Sequence, residues 1–123
     1  MTETSPIDLS TLVRLLRLQV RSGADRLDRP VRGGYVGDLL SDVMGNSREG
    51  DLWITRQVHP NIVAVASLKD LAAIVLVNGS EPAPETLTKA AAEGIPVLLA
   101  EESAFAVAGK VYALIAGAVP TAI

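Results

Sequence analysis

Three short apolar segments in the second half of the chain, each followed by a stretch of helical character, restrict the fold more than any other feature. The segments span residues 51–55, 73–77 and 97–99. Strands that are joined by helices of about ten residues form right-handed crossovers, so that neighbouring strands run parallel and are buried on both faces. The sequence therefore predicts an α/β domain with a mostly parallel sheet flanked by helices.

Residue types that start and stop helices mark the connections between these strands. Pro60 suits the first position of one helix, Pro84 opens another that Gly94 closes, and Ser103 is placed to cap a last one. Residues 62–66 have the composition of a strand, but such a strand would lie too close to the next one for a crossover. A buried helix is the better interpretation of that segment.

The first half of the chain is less regular. The pattern predicts a helix over residues 8–16, a strand over 18–21 and a helical turn over 38–44. Between the last two, an extended segment contains Gly33-Gly34, which indicates a bulge or a close approach of the backbone to another group.

Composition limits the assembly and the partners of this chain. Hydrophobic residues make up 49% of its 123 residues and charged residues 20%, which is more apolar than usual for a soluble domain. The length of the chain predicts one domain that spans residues 1–123. The apolar surplus predicts that this domain associates with other subunits, most simply as a homodimer. The net charge of −3 argues against nucleic acid and membrane surfaces as partners. The absence of cysteine and of a recognisable signal segment predicts a cytoplasmic location.

Motifs for catalysis and cofactor binding are incomplete. Residues 45–50 have the glycine spacing of a P-loop without its lysine and hydroxyl residue, and no G-x-S-x-G elbow occurs. One histidine without cysteine is a poor basis for a zinc site. We therefore expect no cofactor, no metal and no enzymatic activity, and an enzyme that uses His59 as a general base is the lesser alternative.

Polar residues follow the predicted strands at the edge where α/β sheets commonly bind ligands. Free helix N–H groups at such an edge favour anions. The predicted ligand-binding residues are Thr55, His59, Asn61 and Asn78 at this edge, together with Arg29, Gly33 and Gly34 from the first half of the chain. We expect the glycine pair and His59 to lie close together on one polar rim. The alternatives are that His59 or Asn61 only caps a helix, and that Asn78-Gly79 is only a turn.

Six arginines lie early in the chain, and they form either a solvated face or a local basic patch. They are Arg14, Arg17, Arg21, Arg26, Arg29 and Arg32.

The segment Asp28-Arg29-Pro30-Val31-Arg32-Gly33-Gly34 resembles the signature of the DRTGG domain family, and the likeness covers about residues 18–116. It extends through residues 51–55, 59–62 and 72–79. Arg32 stands where the family's threonine is expected, so no role of that hydroxyl carries over. The signature residues serve either folding, through an unusual glycine conformation and an Arg29 bridge to loop carbonyls, or ligand contact.

The resemblance implies a fold like the amino-terminal domain of HPr kinase and a regulatory or dimer-forming role beside other domains. Our leading hypothesis is a non-catalytic, dimeric regulatory module. It binds a small anionic metabolite or nucleotide, or it docks onto a partner enzyme. The alternative is a purely structural domain for dimerisation or partner docking.

Overall fold

Helices and strands alternate along residues 6–117, which are the part of the chain that this computed structural model describes. In chain order the elements are β1 (Ile7–Asp8), α1 (Leu9–Leu16), β2 (Gln19–Ser22), a short 3-10 turn (Ala24–Arg26), β3 (Pro30–Val31), β4 (Gly33–Val36), α2 (Leu40–Asn46), β5 (Asp51–Thr55), α3 (Asn61–Lys69), β6 (Ala73–Leu76), α4 (Pro84–Glu93), β7 (Val97–Leu99) and α5 (Ala104–Ala116).

The main sheet has five strands in the order β2-β7-β6-β5-β4. Strands β4, β5, β6 and β7 run parallel, whereas β2 pairs with β7 in the antiparallel direction at one edge. Strands β1 and β3 form a separate antiparallel pair. This arrangement confirms the predicted α/β class with a mostly parallel sheet.

Both faces of the sheet carry a hydrophobic core, because neighbouring residues along each strand point to opposite sides. On β5, Leu52 and Ile54 face the core shared with α1 and α5, and Trp53 faces the core shared with α2, α3 and α4. All three side chains are buried. Helices therefore cover the sheet on both sides, and polar groups gather at its two ends.

Most helix ends follow the residue types that predicted them. The Asp8 side chain accepts a hydrogen bond from the Thr11 amide at 3.0 Å, and Ser103 accepts one from the Ala106 amide at 3.2 Å. Gly94 adopts a left-handed φ of 70° at the end of α4, a conformation that glycine takes without steric cost.

Helix α3 confirms the helical interpretation of residues 62–66, since Ile62, Val63, Val65 and Ala66 are all buried. On α5, Val107 and Val111 are buried as expected, whereas Leu114 and Ile115 are only half-buried.

The glycine pair lies at the start of β4. Gly33 pairs with Asp51 and Gly34 with Leu52 in an uninterrupted register, so the expected bulge does not form. Neither glycine has a positive φ, and the prediction of an unusual backbone conformation is wrong for both. The expected close approach is confirmed for Gly33, where a Cβ would lie 2.7 Å from Oδ1 of Asp51. At Gly34 the nearest atom would be the Leu52 carbonyl oxygen at 3.7 Å.

These two distances predict opposite effects of the same substitution at neighbouring positions. Asp51 is buried and its Oδ2 accepts a hydrogen bond from the Arg48 amide at 2.8 Å, so its carboxylate has little freedom to move aside. We expect Gly33→Ala to lower the free energy of unfolding by about 1–2 kcal/mol. Gly34→Ala lowers the chain entropy of the unfolded state and causes no clash in the folded state. We therefore expect it to raise the free energy of unfolding by about 0.5 kcal/mol.

Chemical denaturation of the two alanine variants beside the wild-type protein measures both effects, and each variant is the control for the other. Equal midpoints for the two variants contradict the close approach at Gly33.

Candidate functional site

The carboxyl ends of β5 and β6 bring several of the predicted site residues to one edge of the sheet. Thr55 pairs with Leu76 in the parallel register, and the Val77 amide donates to the Thr55 carbonyl at 3.1 Å. His59 and Asn78 follow these strand ends. We call this end of the sheet the carboxyl edge.

Asp38 is a central residue of the carboxyl edge that the sequence analysis did not select. Its Oδ1 accepts hydrogen bonds from the Thr55 hydroxyl at 2.7 Å and from the Arg56 amide at 2.9 Å. These bonds to the ionised carboxylate, the amide bond first, hold the pKa of Asp38 below its ordinary value. Asp38 lies just after β4, and Thr55 is the last residue of β5. The pair can be recognised only once β4 and β5 are known to be parallel neighbours.

The hydroxyl of Thr55 is fully engaged within the protein. Besides donating to Asp38, it accepts a hydrogen bond from the Gln57 amide at 3.2 Å, and the residue is 1% exposed. Thr55 therefore organises the loop that leads to His59, and it presents no accessible surface for a ligand.

Asn78 and Gly79 form a tight turn, with left-handed φ values of 58° and 62°. The Asn78 amide donates to the Glu102 carbonyl at 2.9 Å, and the Gly79 amide donates to the Ala100 carbonyl at the same distance. The turn ties the end of β6 to the segment after β7. Asn78 is exposed, and the hydrogen bonds of this turn are formed by its backbone amide rather than by its side chain.

His59 and Asn61 lie on either side of Pro60 at the start of α3, and neither side chain caps the helix. Pro60 is the N-cap residue of α3, and no side chain supplies a cap hydrogen bond there. The alternative that His59 or Asn61 caps the helix is therefore wrong, because the fixed φ of Pro60 starts the helical turn itself. Both residues are exposed, and among residues 6–117 the His59 imidazole makes no hydrogen bond to a carboxylate.

Two of the cations near the carboxyl edge are already paired with carboxylates. Arg21 binds Glu81 at 2.6 Å, and Lys110 binds Glu102 at 2.7 Å. The hydrogen bond from Arg21 holds the pKa of Glu81 below its ordinary value. Because these ion pairs are exposed to solvent, they contribute little to stability. Their main consequence is that the positive charges of Arg21 and Lys110, which would attract an anionic ligand, are neutralised.

The remaining predicted residues lie at the opposite end of the sheet, which we call the amino edge. Gly33 starts β4 opposite Asp51, the first residue of β5, whereas His59 follows the last residue of β5. The length of β5 alone separates these positions by about 13 Å. The expectation that the glycine pair and His59 share one rim is wrong, because a parallel register aligns the start of one strand with the start of the next.

Two of the early arginines, Arg26 and Arg29, lie against the carboxyl ends of helices at the amino edge. Arg29 forms an ion pair with Asp70, the residue that ends α3, at an N–O distance of 3.3 Å. The guanidinium of Arg26 lies against Gly94, which ends α4. Cations at the carboxyl end of a helix interact favourably with its dipole. The predicted Arg29 bridge to loop carbonyls is replaced by this carboxylate pair. The six early arginines do not form one patch, since Arg21 reaches the carboxyl edge.

A groove that the sequence analysis did not anticipate runs between β4 and α5. Its main cavity measures about 440 Å³. The lining residues include Arg32, the glycine pair, Val36, Ile54 and Tyr112. Tyr112 on α5 is 75% exposed, and an aromatic residue at this position of an apolar helix is a sequence signal that the sequence analysis did not use.

Within residues 6–117, histidine and acidic residues do not gather into a group of three or more that would hold a metal ion. Across the same range, the helices are too short or too polar to cross a membrane.

The fold and the two edges define an α/β domain with a network of polar groups at each edge and a groove beside the edge strand β4. The sequence profile of the DRTGG domain matches residues 11–114. The chain belongs to the DRTGG domain family. This confirms the resemblance found in the signature segment.

A solved structure shares the fold. It is that of the CBS and DRTGG domains of the regulatory region of Clostridium perfringens pyrophosphatase, in complex with the activator diadenosine tetraphosphate. The TM-score is 0.68 at 17% sequence identity, and the match covers 82% of this chain and 44% of that chain. This chain thus corresponds to less than half of the regulatory region. A comparison with curated proteins finds no match.

Proposed function

We propose that this chain is a regulatory module that binds a small anionic metabolite or nucleotide and does not catalyse a reaction. The observation that carries this proposal is the DRTGG family match over residues 11–114. It is supported by the shared fold with a pyrophosphatase regulatory region that is complexed with a nucleotide activator. We also propose that the module acts on a partner enzyme and that both are cytoplasmic.

The arrangement of the carboxyl edge supports a role without catalysis. A general base needs an orienting group and access to a substrate proton. The Asp38 carboxylate is instead held by Thr55 and the Arg56 amide, in its ionised form. The lesser alternative, an enzyme that uses His59 as a general base, lacks an acid–base pair among the described residues.

Exposed polar side chains at the carboxyl edge are one place for the ligand. His59, Asn61 and Asn78 are exposed there, and Arg56 supplies a positive charge beside them. We retain these residues as the proposed nucleotide contacts. The amino-edge residues Arg29, Gly33 and Gly34 belong to a second region, and a single small ligand does not reach both.

A thermal-shift panel of nucleotides and phosphorylated metabolites tests the sensing function. A ligand present at a hundred times its dissociation constant adds about 2.7 kcal/mol of stability, which raises the melting temperature by roughly 10 °C. We expect at least one nucleotide to do so and His59→Gln to weaken its effect. Lys89→Gln, on the exposed side of α4, is the matched control and leaves the shift unchanged. A panel without any shift contradicts the sensing function.

We also propose that the module is a homodimer that associates through the outer side of α5. Phe105 is 91% exposed and Tyr112 is 75% exposed, and their spacing of seven residues places them on one side of the helix. Exposed apolar residues that adjoin one another mark interaction surfaces. If this association occurs without any ligand binding, the alternative of a purely structural dimerisation or docking domain is favoured.

Light scattering across a dilution series tests the homodimer. Phe105→Glu places a charge in the proposed interface, and we expect it to shift the protein to the monomer at concentrations where the wild-type protein is dimeric. Leu68→Glu is the matched control, because Leu68 is 74% exposed on α3, which covers the other face of the sheet. A monomeric wild-type protein, or equal effects of both variants, contradicts this interface.

A further inference from the structure

The groove beside α5 is longer than its main cavity. A second cavity of about 480 Å³ is lined by residues of β1, β3 and the carboxyl end of α5. Arg32 and Ile115 line both cavities, so the two adjoin each other along one side of α5. Their volumes lie within the roughly 300–1,000 Å³ that is usual for small-molecule sites.

The lining of this groove is mostly apolar and carries a charge at only one of its described residues. Arg32 is the only charged residue among the described lining residues of either cavity, and no carboxylate lines them. This differs from the chain as a whole, which has a net charge of −3. Tyr112 and the backbone of the glycine pair supply the other polar groups of the main cavity.

Arg32 is held in a position to face the groove. Its side-chain stem packs against Gly50, where a Cβ would lie 2.8 Å from Cδ of Arg32. None of the three ion pairs formed within residues 6–117 includes Arg32. The guanidinium keeps its charge at all ordinary pH values and binds carboxylates and phosphates in a planar, two-point geometry.

We propose that the groove binds an amphipathic monoanion, whose apolar body lies between β4 and α5 and whose single carboxylate or phosphate binds Arg32. One arginine matches one anionic group, whereas a polyphosphate would leave most of its charge unpaired against apolar walls. The inference rests on the proposed function in that the chain binds a small anion, and it names a ligand class and a second place for it.

Calorimetric titration with octanoate tests this site, with octan-1-ol as the uncharged probe of equal chain length. We expect the wild-type protein to bind octanoate about tenfold more tightly than octan-1-ol. Arg32→Met retains the apolar stem, weakens octanoate binding about tenfold and leaves octan-1-ol unchanged. Arg56→Gln removes a charge at the carboxyl edge and is the matched control, with no effect on either probe.

A second set of variants fills the groove instead of removing its charge. Gly34→Val directs a side chain toward α5 from a position with ordinary backbone geometry and space for a Cβ, and we expect it to abolish binding of both probes. Ala108→Leu fills the groove from the opposite wall and replaces Gly34→Val if that variant does not fold. The unfolding temperature of each variant shows whether it is folded.

Several outcomes overturn this site. One is that the two probes bind with equal affinity, and another is that Arg32→Met and Arg56→Gln have equal effects. A third is that Gly34→Val changes the molecular mass of the protein in solution without a loss of octanoate binding, because a second copy then occupies the groove. If octanoate does not bind while a nucleotide gives a shift that depends on His59, the groove assignment fails and the sensing function stands. If neither class of ligand binds, both fail.

Discussion

The parallel pairing of β4 with β5 decides which residues of this domain meet. Gly33 lies opposite Asp51 and Val36 opposite Ile54, so the start of β4 joins the amino edge and its end delivers Asp38 to the carboxyl edge. Gly33 favours this pairing, because a Cβ at that position would lie 2.7 Å from Oδ1 of Asp51. A shift of one residue would turn Tyr35 toward the opposite face, and Asp38 would lose its position beside Thr55.

From this register follow two regions with different chemistry. At the amino edge, arginines lie against helix ends, as Arg29 does at Asp70. The carboxyl edge is a network around Asp38 and Thr55 that organises the loop bearing His59. Between the edges, Gly34 has no side chain to fill the space between β4 and α5. This space is the groove, and α5 forms its outer wall.

The second half of the chain was predictable because its signals are local. Pro84, Gly94 and Ser103 each act on their own helix, and β5 and β7 have the expected bounds. In the first half, α1, β2 and α2 lie close to the predicted positions. The place of Gly33-Gly34 in the sheet was not predictable, because it depends on which strand β4 joins and in which direction, and the residues around the pair do not determine either. Of the predicted site residues, those after β5 and β6 share an edge as expected, whereas Arg29 and the glycine pair do not. Asp38 was missed for the same reason, since its partner Thr55 is 17 residues away.

Scalar couplings across hydrogen bonds, measured by NMR on the isotopically labelled full chain, test the register directly. The structure predicts that the Arg32 amide nitrogen couples to the Gly50 carbonyl carbon and the Gly37 amide nitrogen to that of Ile54, since these donor–acceptor distances are 2.9 and 3.1 Å. Couplings from these two amides to any other carbonyl carbons would contradict the pairing of β4 with β5, and with it the division of the domain into an amino edge, a carboxyl edge and a groove between them.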